Sequence, residues 1–271
     1  MCLHSSAGSS RQWQPLIDSL AGDYRIVAPD LIGYGDNPVW SSSDLLSLSD
    51  EVEHLRPALE SIGGPFHLVA HSYGATVAFR LCHLFPERIR SLVVYEPVLF
   101  SLLAGLDDPR AAEEIKQVQD DSSWLLAARQ FTEASRRFVD YWSGEGSFDR
   151  LPKNQQEAIE KRMGQVMSDF DATFSDMTPL SDYKKLSMPI LFLYGLKSPK
   201  PTQRIAQFVS RELPNAEVRG FLPLGHMGPI THETGVQKII AQFIRGQPVG
   251  ILAHQVSRQS DRQMLSDEDL R

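Results

Sequence analysis

One serine, Ser72, is placed in the sequence where it could act as a nucleophile. It follows an apolar run of strand length over residues 66–70 and precedes a helical pattern that stops at Pro86. The flanking residues form the pattern small-x-Ser-x-Gly, with Ala70 where glycine is more usual and Gly74 in the last position. A serine on such a strained strand-to-helix turn projects its hydroxyl above a helix N-terminus. This arrangement indicates attack of the hydroxyl on an acyl carbon.

Strands and helices alternate along the chain around Ser72. The hydrophobic patterns predict helices near 10–21 and over 48–62 and 236–244, besides the helix that follows the serine. Strands are predicted over 24–28, 66–70, 91–95, 190–194 and 217–221. Such alternation predicts the α/β class, with a doubly wound, mostly parallel sheet that carries helices on both faces.

The stretch over 100–187 interrupts this alternation. It is polar and helical in pattern, it contains no predicted strand, and its aromatic residues give it an apolar side. We therefore expect a helical cap, inserted over the carboxyl ends of the strands, between two parts of one core over 1–99 and 188–245. Residues 246–271 are polar, and we expect them to form a disordered tail.

Composition excludes several classes of function. The chain has 271 residues and a net charge of −7, and this acidic balance argues against nucleic-acid binding. No apolar run reaches the ~18 residues of a membrane span, and no signal peptide is visible, so we expect a cytoplasmic protein. The two cysteines, Cys2 and Cys82, lack metal-ligand spacing, so no metal is expected. No cofactor is expected either, because no dinucleotide or phosphate-binding glycine loop follows a strand.

Three further motifs lie in order along the chain. They are Leu3-His4-Ser5-Ser6-Ala7-Gly8-Ser9-Ser10, Pro29-Asp30-Leu31-Ile32-Gly33-Tyr34-Gly35 and Leu224-Gly225-His226-Met227. With these motifs, the serine turn and the insertion, the chain resembles the α/β-hydrolase superfamily from His4 to Ile244. The similarity is to its capped esterase, lipase and carbon–carbon hydrolase branch. The oxyanion loop of that family usually reads Leu-His-Gly-x-x-Gly-Ser, so Ser5 replaces a glycine here.

The resemblance implies a role for each motif. Ser72 is the expected nucleophile, and His226 is the expected general base for its attack and general acid for the leaving group. The backbone N–H groups of Ser6 and Tyr73 are the expected oxyanion hole, because charge grows on the carbonyl oxygen during attack.

Two more histidines lie within these motifs, and we expect both to be structural. His4 should shape the oxyanion loop through hydrogen bonds. His71 directly precedes the nucleophile, and its side chain should point away from the nucleophile.

The acid of the expected triad is not at its usual place. The family carries it after the strand over 190–194, where this chain has Ser198, which cannot be charged. Glu96 ends the strand that follows the serine strand, and some family members carry their acid at that position. We therefore expect Glu96 to pair with His226. The alternatives are that Glu96 binds only backbone or cap residues, that a Ser–His dyad works alone, or that a cap carboxylate such as Asp171 serves.

The start of the chain also departs from the family. Family members carry two strands and most of a third before the oxyanion loop, whereas only Met1-Cys2-Leu3 precede His4 here. We expect a start site placed too far downstream or a fragment, because a sheet tolerates a missing central strand badly. An alternative is that residues 249–252 fold back as a substitute strand.

The aromatic residues of the insertion predict a partly apolar pocket for acyl or aryl groups. They are Phe131, Phe138, Tyr141, Trp142, Phe148, Phe170 and Phe174, and the alternative for each is that it only packs the cap on itself. From this set and the histidine loop we expect Phe138, Trp142 and Met227 to bind substrate.

The predicted function is that of a serine hydrolase with a Ser-His-Glu triad. Its substrate would be a small-molecule acyl compound, with a small or medium carboxylic ester or a related acyl bond cleaved through an acyl-enzyme. One alternative is a catalytically impaired fold that acts as a binding or receptor module. Another is a carbon–carbon hydrolase, lyase or acyltransferase that uses the same Ser-His site. No sequence feature indicates an oligomeric state.

Overall fold

A sheet of six strands lies at the centre of the computed structural model, which describes residues 1–105, 109–213, 215–247 and 255–256. The strands lie side by side in chain order: β1 (Cys2–Leu3), β2 (Phe66–His71), β3 (Ile89–Tyr95), β4 (Ile190–Gly195), β5 (Ala216–Phe221) and β6 (Gln255–Val256). Strands β1 to β5 are parallel to their neighbours, and β6 is antiparallel to β5. The sheet is therefore mostly parallel, as the sequence predicts.

Helices connect the strands. They are α1 (Gln14–Leu20), α2 (Leu48–His54), α3 (Arg56–Ile62), α4 (Tyr73–Leu84), α5 (Phe100–Leu103), α6 (Pro109–Ala127), α7 (Phe131–Ser143), α8 (Ser147–Arg150), α9 (Lys153–Phe174), α10 (Leu180–Tyr183), α11 (Lys200–Glu212), α12 (Gly228–Thr231) and α13 (Glu233–Ile244). Short 3₁₀ turns precede α1 and β3. In the described part of the chain, every helix is too short or too polar to cross a lipid bilayer.

The side chains of the central strands alternate between two hydrophobic cores, one on each face of the sheet. In β4, Leu191 and Leu193 belong to the core that includes α1 and α13. Ile190 and Phe192 belong to the larger core, which includes α2, α3, α4 and the helices between β3 and β4. Because successive strand residues point to opposite faces, both faces of this sheet must be covered. The predicted doubly wound α/β fold is confirmed.

Two predicted elements have a different form in the structure. The segment over 24–28 was expected to be a strand, but it is irregular, with one bond from Cys2 N to Val27 O at 2.9 Å. The neighbouring strand β1 has only two residues, so no ladder of backbone hydrogen bonds extends along residues 24–28. The predicted helix over 48–62 is divided into α2 and α3 at Leu55, because Pro57 has no N–H with which to continue the helical ladder.

The described residues between β3 and β4 form helices α5 to α10 and no strand. Helix α7 packs against both α6 and α9. Phe138 of α7 and Phe170 of α9 meet edge to face, with ring centroids 6.3 Å apart. The boundaries expected for core and cap, 1–99 with 188–245 and 100–187, stay a prediction.

Predictions about the end of the chain fall largely outside the described residues. That applies to the substitute strand over 249–252 and to most of the tail over 246–271 for which disorder was expected. Within that tail, Gln255 and Val256 pair with Phe221 and Gly220 of β5. Strand β1 lies at the other end of the strand order. It pairs in parallel with Val69 and Ala70 of β2, just before the turn that carries Ser72.

Candidate active site

Ser72 lies on a sharp turn between β2 and α4. Its backbone has φ 56° and ψ −121°, a conformation that L residues rarely adopt, and its N–H donates to Tyr95 O at 3.0 Å. Helix α4 begins at the next residue and passes close to the oxyanion loop. A Cβ atom at Gly74 would lie 2.3 Å from His4 O, so only glycine fits there. The turn therefore holds the Ser72 hydroxyl at the carboxyl end of the sheet.

The structure brings Ser72, His226 and Glu96 into one hydrogen-bonded line. His226 Nε2 lies 2.8 Å from Ser72 Oγ, and His226 Nδ1 lies 2.6 Å from Glu96 Oε2. All three side chains are buried. A carboxylate at Nδ1 keeps the proton on that nitrogen, so Nε2 is free to accept the serine proton. This geometry can activate a hydroxyl for nucleophilic attack.

Glu96 directly follows β3 and is bound by the residue that stands at the usual acid position. Its second oxygen, Oε1, accepts hydrogen bonds from Gly195 N at 2.6 Å and from Ser198 Oγ at 2.5 Å. Ser198 is therefore a donor to the carboxylate rather than a vacant acid position. The cap carboxylate that was considered as an alternative, Asp171, instead accepts a hydrogen bond from Gln119 Nε2 at 2.7 Å.

His71 and Gln12 hold the histidine loop in place. His71 Nε2 donates to the backbone oxygen of His226 at 2.9 Å, and His71 Nδ1 accepts from Gln12 Nε2 at 3.0 Å. Burial lowers the pKa of His71 well below its usual value, so the ring is neutral and these two roles are fixed. The Trp142 ring covers His226 from the side of the insertion, with centroids 4.1 Å apart. Gln12 had no distinctive signal in the sequence.

The oxyanion loop is fixed by side chains on both sides. Gln12 Oε1 accepts from Ser5 N at 3.2 Å and from Ser5 Oγ at 3.1 Å. His4 Nδ1 donates to Ser5 O at 2.8 Å, while its Nε2 accepts from Leu31 N at 3.0 Å. Burial lowers the pKa of His4 to about 4, so this ring is neutral too. Ser5, which replaces the family glycine, thus binds Gln12, and the positive φ of the loop falls at Ala7, at 57°.

Ser6 and Tyr73 both line a cavity together with Ser72 and His226. Among the hydrogen bonds of the described residues, none is donated by the backbone N–H of Ser6 or of Tyr73. Tyr73 is the first residue of α4, where an N–H has no partner within the helix. Two free N–H groups beside a serine hydroxyl can bind the oxygen of an acyl group under attack.

The cavity has a volume of about 260 Å³ and lies between the sheet and the insertion. The expected substrate-binding residues Phe138, Trp142 and Met227 all line it, together with Phe170. The other aromatic residues proposed for the pocket do not line it; of these, Phe131 is 48% exposed. Helical periodicity indicates an apolar face but does not show which part of the face meets the cavity. In the described part of the chain, no three His, Cys, Asp or Glu side chains cluster to hold a metal ion.

Two buried carboxyl groups lie next to this site, and neither was predicted from the sequence. Asp169 of α9 lines the cavity and is 2% exposed, and Glu51 of α2 is 0% exposed. Burial, which disfavours the charged form, raises the pKa of Asp169 to about 7 and that of Glu51 to about 8. Glu51 Oε2 accepts from Ile32 N at 3.2 Å, and its Oε1 accepts from Tyr73 OH at 3.1 Å.

The raised pKa of Glu51 predicts how stability depends on pH. The unfolded chain releases this proton near the usual glutamate pKa of 4.5, whereas the folded protein keeps it up to about pH 8. Its contribution to folding is therefore complete below pH 4.5 and is lost as the pH rises to about 8. We expect the Glu51→Gln variant to gain stability relative to the wild type by up to about 1.4 kcal/mol per pH unit across this window.

Urea unfolding of both proteins at pH 5, 6, 7 and 8 measures this difference, and the comparison cancels the titration of all groups that they share. Glu53→Gln is the matched control, because Glu53 is an exposed carboxylate on the same helix, bound by Arg56. If the free energies of unfolding of the wild type and Glu51→Gln differed by the same amount from pH 5 to 8, the prediction would be contradicted.

Comparison with known proteins assigns the family. The model of the alpha/beta hydrolase family matches residues 1–237. An uncharacterized hydrolase of Saccharomyces cerevisiae is 25% identical over 260 residues, which cover 90% of this chain and 88% of that protein. A pimeloyl-acyl-carrier-protein methyl ester esterase of Aeromonas hydrophila is 23% identical over 259 residues, covering 89% and 93%. The crystal structure of a Bacillus megaterium epoxide hydrolase shares the fold, with a TM-score of 0.70 at 19% identity over 90% of this chain and 92% of that one. The chain therefore belongs to the alpha/beta hydrolase family.

Proposed function

We propose that this hydrolase cleaves a carboxylic ester, or a related acyl bond, through an acyl-enzyme formed on Ser72. The observation that carries the proposal is the line from Ser72 Oγ through His226 to Glu96, with separations of 2.8 and 2.6 Å, at the wall of a cavity. A serine without such a base is a weak nucleophile at neutral pH. The similarity to a methyl ester esterase of Aeromonas hydrophila supports an ester as substrate.

The reaction follows from the positions of these groups. Ser72 Oγ attacks the carbonyl carbon while His226 Nε2 takes its proton, and the carbonyl oxygen becomes negative. The N–H groups of Ser6 and Tyr73 bind that oxygen. The carbonyl then re-forms, the ester C–O bond breaks, and the leaving alcohol takes the proton from His226. A water molecule releases the acid by the same two steps and regenerates Ser72.

The lining of the cavity supports an uncharged acyl group. Among the described residues that line it there is no lysine or arginine, and most are apolar. Its one carboxyl group belongs to Asp169, which would repel a carboxylate once ionised. A substrate carboxylate in this cavity would be buried without a cation, which costs several kcal/mol.

Turnover of matched esters tests whether the protein cleaves esters and whether it prefers an uncharged acyl group. We expect p-nitrophenyl butyrate to be hydrolysed with a kcat/KM at least about 30-fold above that of the p-nitrophenyl monoester of succinic acid. The second substrate carries a carboxylate, which would be buried without a cation to pair with it. The hexanoate ester is the control for chain length. Equal rates for butyrate and hemisuccinate would contradict an uncharged acyl site.

Labelling with a fluorophosphonate tests the nucleophile separately from the choice of ester. We expect the wild-type protein to be labelled, because the probe needs an activated serine and an oxyanion hole but no particular acyl group. A chain that is neither labelled nor active on any of the esters would instead be a binding module with the hydrolase fold.

A further inference from the structure

The oxyanion loop is held by a helix of the insertion. Ser6 Oγ donates to Asp169 Oδ2 at 2.5 Å, which joins the loop to the middle of α9. One and two turns away on the same helix, Gln165 Nε2 donates to Asp169 Oδ1 at 3.1 Å, and Arg162 binds the backbone oxygens of Ala7 and Gly8 at 3.3 and 3.4 Å. Helix α9 therefore binds three consecutive residues of the loop.

Asp169 is the central acceptor of this arrangement. The same oxygen that binds Ser6 also accepts a hydrogen bond from Tyr34 OH at 2.5 Å. The carboxyl group is almost fully buried, so its position is set by these donors rather than by water. Tyr34 in turn packs edge to face against His4, with ring centroids 5.2 Å apart. Asp169 thus fixes the side chain of Ser6, which lines the cavity together with Ser72.

We propose that Asp169 is a positioning residue for the oxyanion hole, which holds Ser6 through its hydroxyl so that the Ser6 N–H points to the reacting carbonyl. This inference rests on the proposed function, because it assigns the Ser6 N–H to oxyanion binding. Asp169 acts through Ser6 and does not exchange a proton with the substrate. Since Phe170 and Thr173 of the same helix line the cavity, α9 contacts both the acyl group and the loop that polarises it.

The charge of Asp169 acts on the oxyanion separately from its hold on Ser6. A carboxylate beside Ser6 would lie close to the oxyanion, and two like charges in a buried site repel each other. The titratable groups on other elements that interact with Asp169 are Tyr34, Glu51 of α2 and Tyr73 of α4, and none of them carries a positive charge. A cation on α9 itself, Arg162, binds the backbone oxygens of Ala7 and Gly8. With a pKa of Asp169 of about 7, kcat should decline as the pH rises above that value.

A mutant cycle tests the proposal. We expect Asp169→Ala and Ser6→Ala each to lower kcat for p-nitrophenyl butyrate by about 10- to 100-fold, less than the full loss of an oxyanion donor, with KM changed less than about threefold. The double variant should be no more than about threefold slower than either single variant, because both remove one interaction. Binding of a trifluoromethyl ketone, whose adduct with Ser72 carries an oxyanion, should weaken by the same factor.

The conservative variant and a neighbouring carboxylate serve as controls. Asp169→Asn keeps an acceptor for Ser6 without a charge, so its kcat at pH 7 should stay within about threefold of the wild type and should not fall at pH 9. This rescue also separates positioning from a general loss of fold. Asp171→Ala, two residues along α9, should leave kcat unchanged, since Asp171 binds Gln119 rather than the loop.

The possible results distinguish this inference from the proposed function. Additive losses in the double variant, an effect on KM alone, or a loss in Asp169→Asn equal to that in Asp169→Ala would overturn the positioning role while the wild type stays active. A wild-type protein that neither hydrolyses esters nor reacts with the fluorophosphonate would overturn the proposed function, and this inference with it.

Discussion

Replacement of Ser72 by alanine is expected to lower kcat for p-nitrophenyl butyrate by about 10⁴-fold or more, as when the nucleophile of another serine hydrolase is removed. The reason is the loss of the proposed nucleophile, the hydroxyl oxygen that lies 2.8 Å from His226 Nε2. The remaining N–H groups can polarise the ester but cannot form the covalent intermediate. The fold should be little affected, because alanine is smaller than serine and places the same Cβ atom on this backbone.

Fluorophosphonate labelling, followed by mass spectrometry of the labelled peptide, measures the loss of the nucleophile and does not depend on which ester is the substrate. Ser123→Ala is a suitable control, since Ser123 lies on α6 and its hydroxyl contacts Met167 far from the triad along the chain. Labelling that persists in Ser72→Ala would place the nucleophile elsewhere and would end the assignment.

Replacement of Glu96 by glutamine is expected to lower kcat by about 10³- to 10⁴-fold, with a small effect on KM. The amide has nearly the same shape, but it carries no charge to stabilise the imidazolium that forms at His226 during attack. Its NH₂ group can also face His226 Nδ1 and favour the wrong tautomer. The existing bond of 2.6 Å between Nδ1 and Oε2 shows how directly the carboxylate is engaged.

Ser198→Ala is the matched control for this experiment. It removes one donor to Glu96 Oε1, but Gly195 N still binds that oxygen at 2.6 Å, so kcat should fall by less than about fivefold. Steady-state kinetics on both variants at the same pH give the comparison. Turnover of Glu96→Gln near the wild-type value would show that a Ser–His dyad works without an acid.

The sequence was sufficient to predict that Ser72 and Glu96 lie close together, because each directly follows a predicted strand. These strands, β2 and β3, are parallel neighbours, and parallel strands present their carboxyl ends at one edge of the sheet. The position of His226 came from the resemblance of its loop to a family motif. The choice of Glu96 over Ser198 combined chemistry with the resemblance, since only a carboxylate can stabilise an imidazolium and some family members carry their acid at that strand end.

The polar contacts behind the oxyanion hole could not be predicted in this way. Gln12, Glu51 and Asp169 lie on helices where a polar residue normally faces water. Their burial depends on which helix packs against which loop, over separations in the chain such as the 163 residues between Ser6 and Asp169. The irregular segment over 24–28 also depends on a neighbour. A strand forms only beside a partner of sufficient length, and the sequence of 24–28 does not show how long that partner is.

The hydrogen bond between Ser198 and Glu96 restricts how this lineage can evolve by single substitutions. An aspartate at 198 in the presence of Glu96 would place two carboxylates side by side, because Ser198 Oγ lies 2.5 Å from Glu96 Oε1, and two carboxylates so close cannot both ionise. Loss of Glu96 before that change would leave the histidine without an acid. Transfer of the acid from position 96 to position 198 therefore requires substitutions at both positions, since neither substitution alone leaves one carboxylate beside His226.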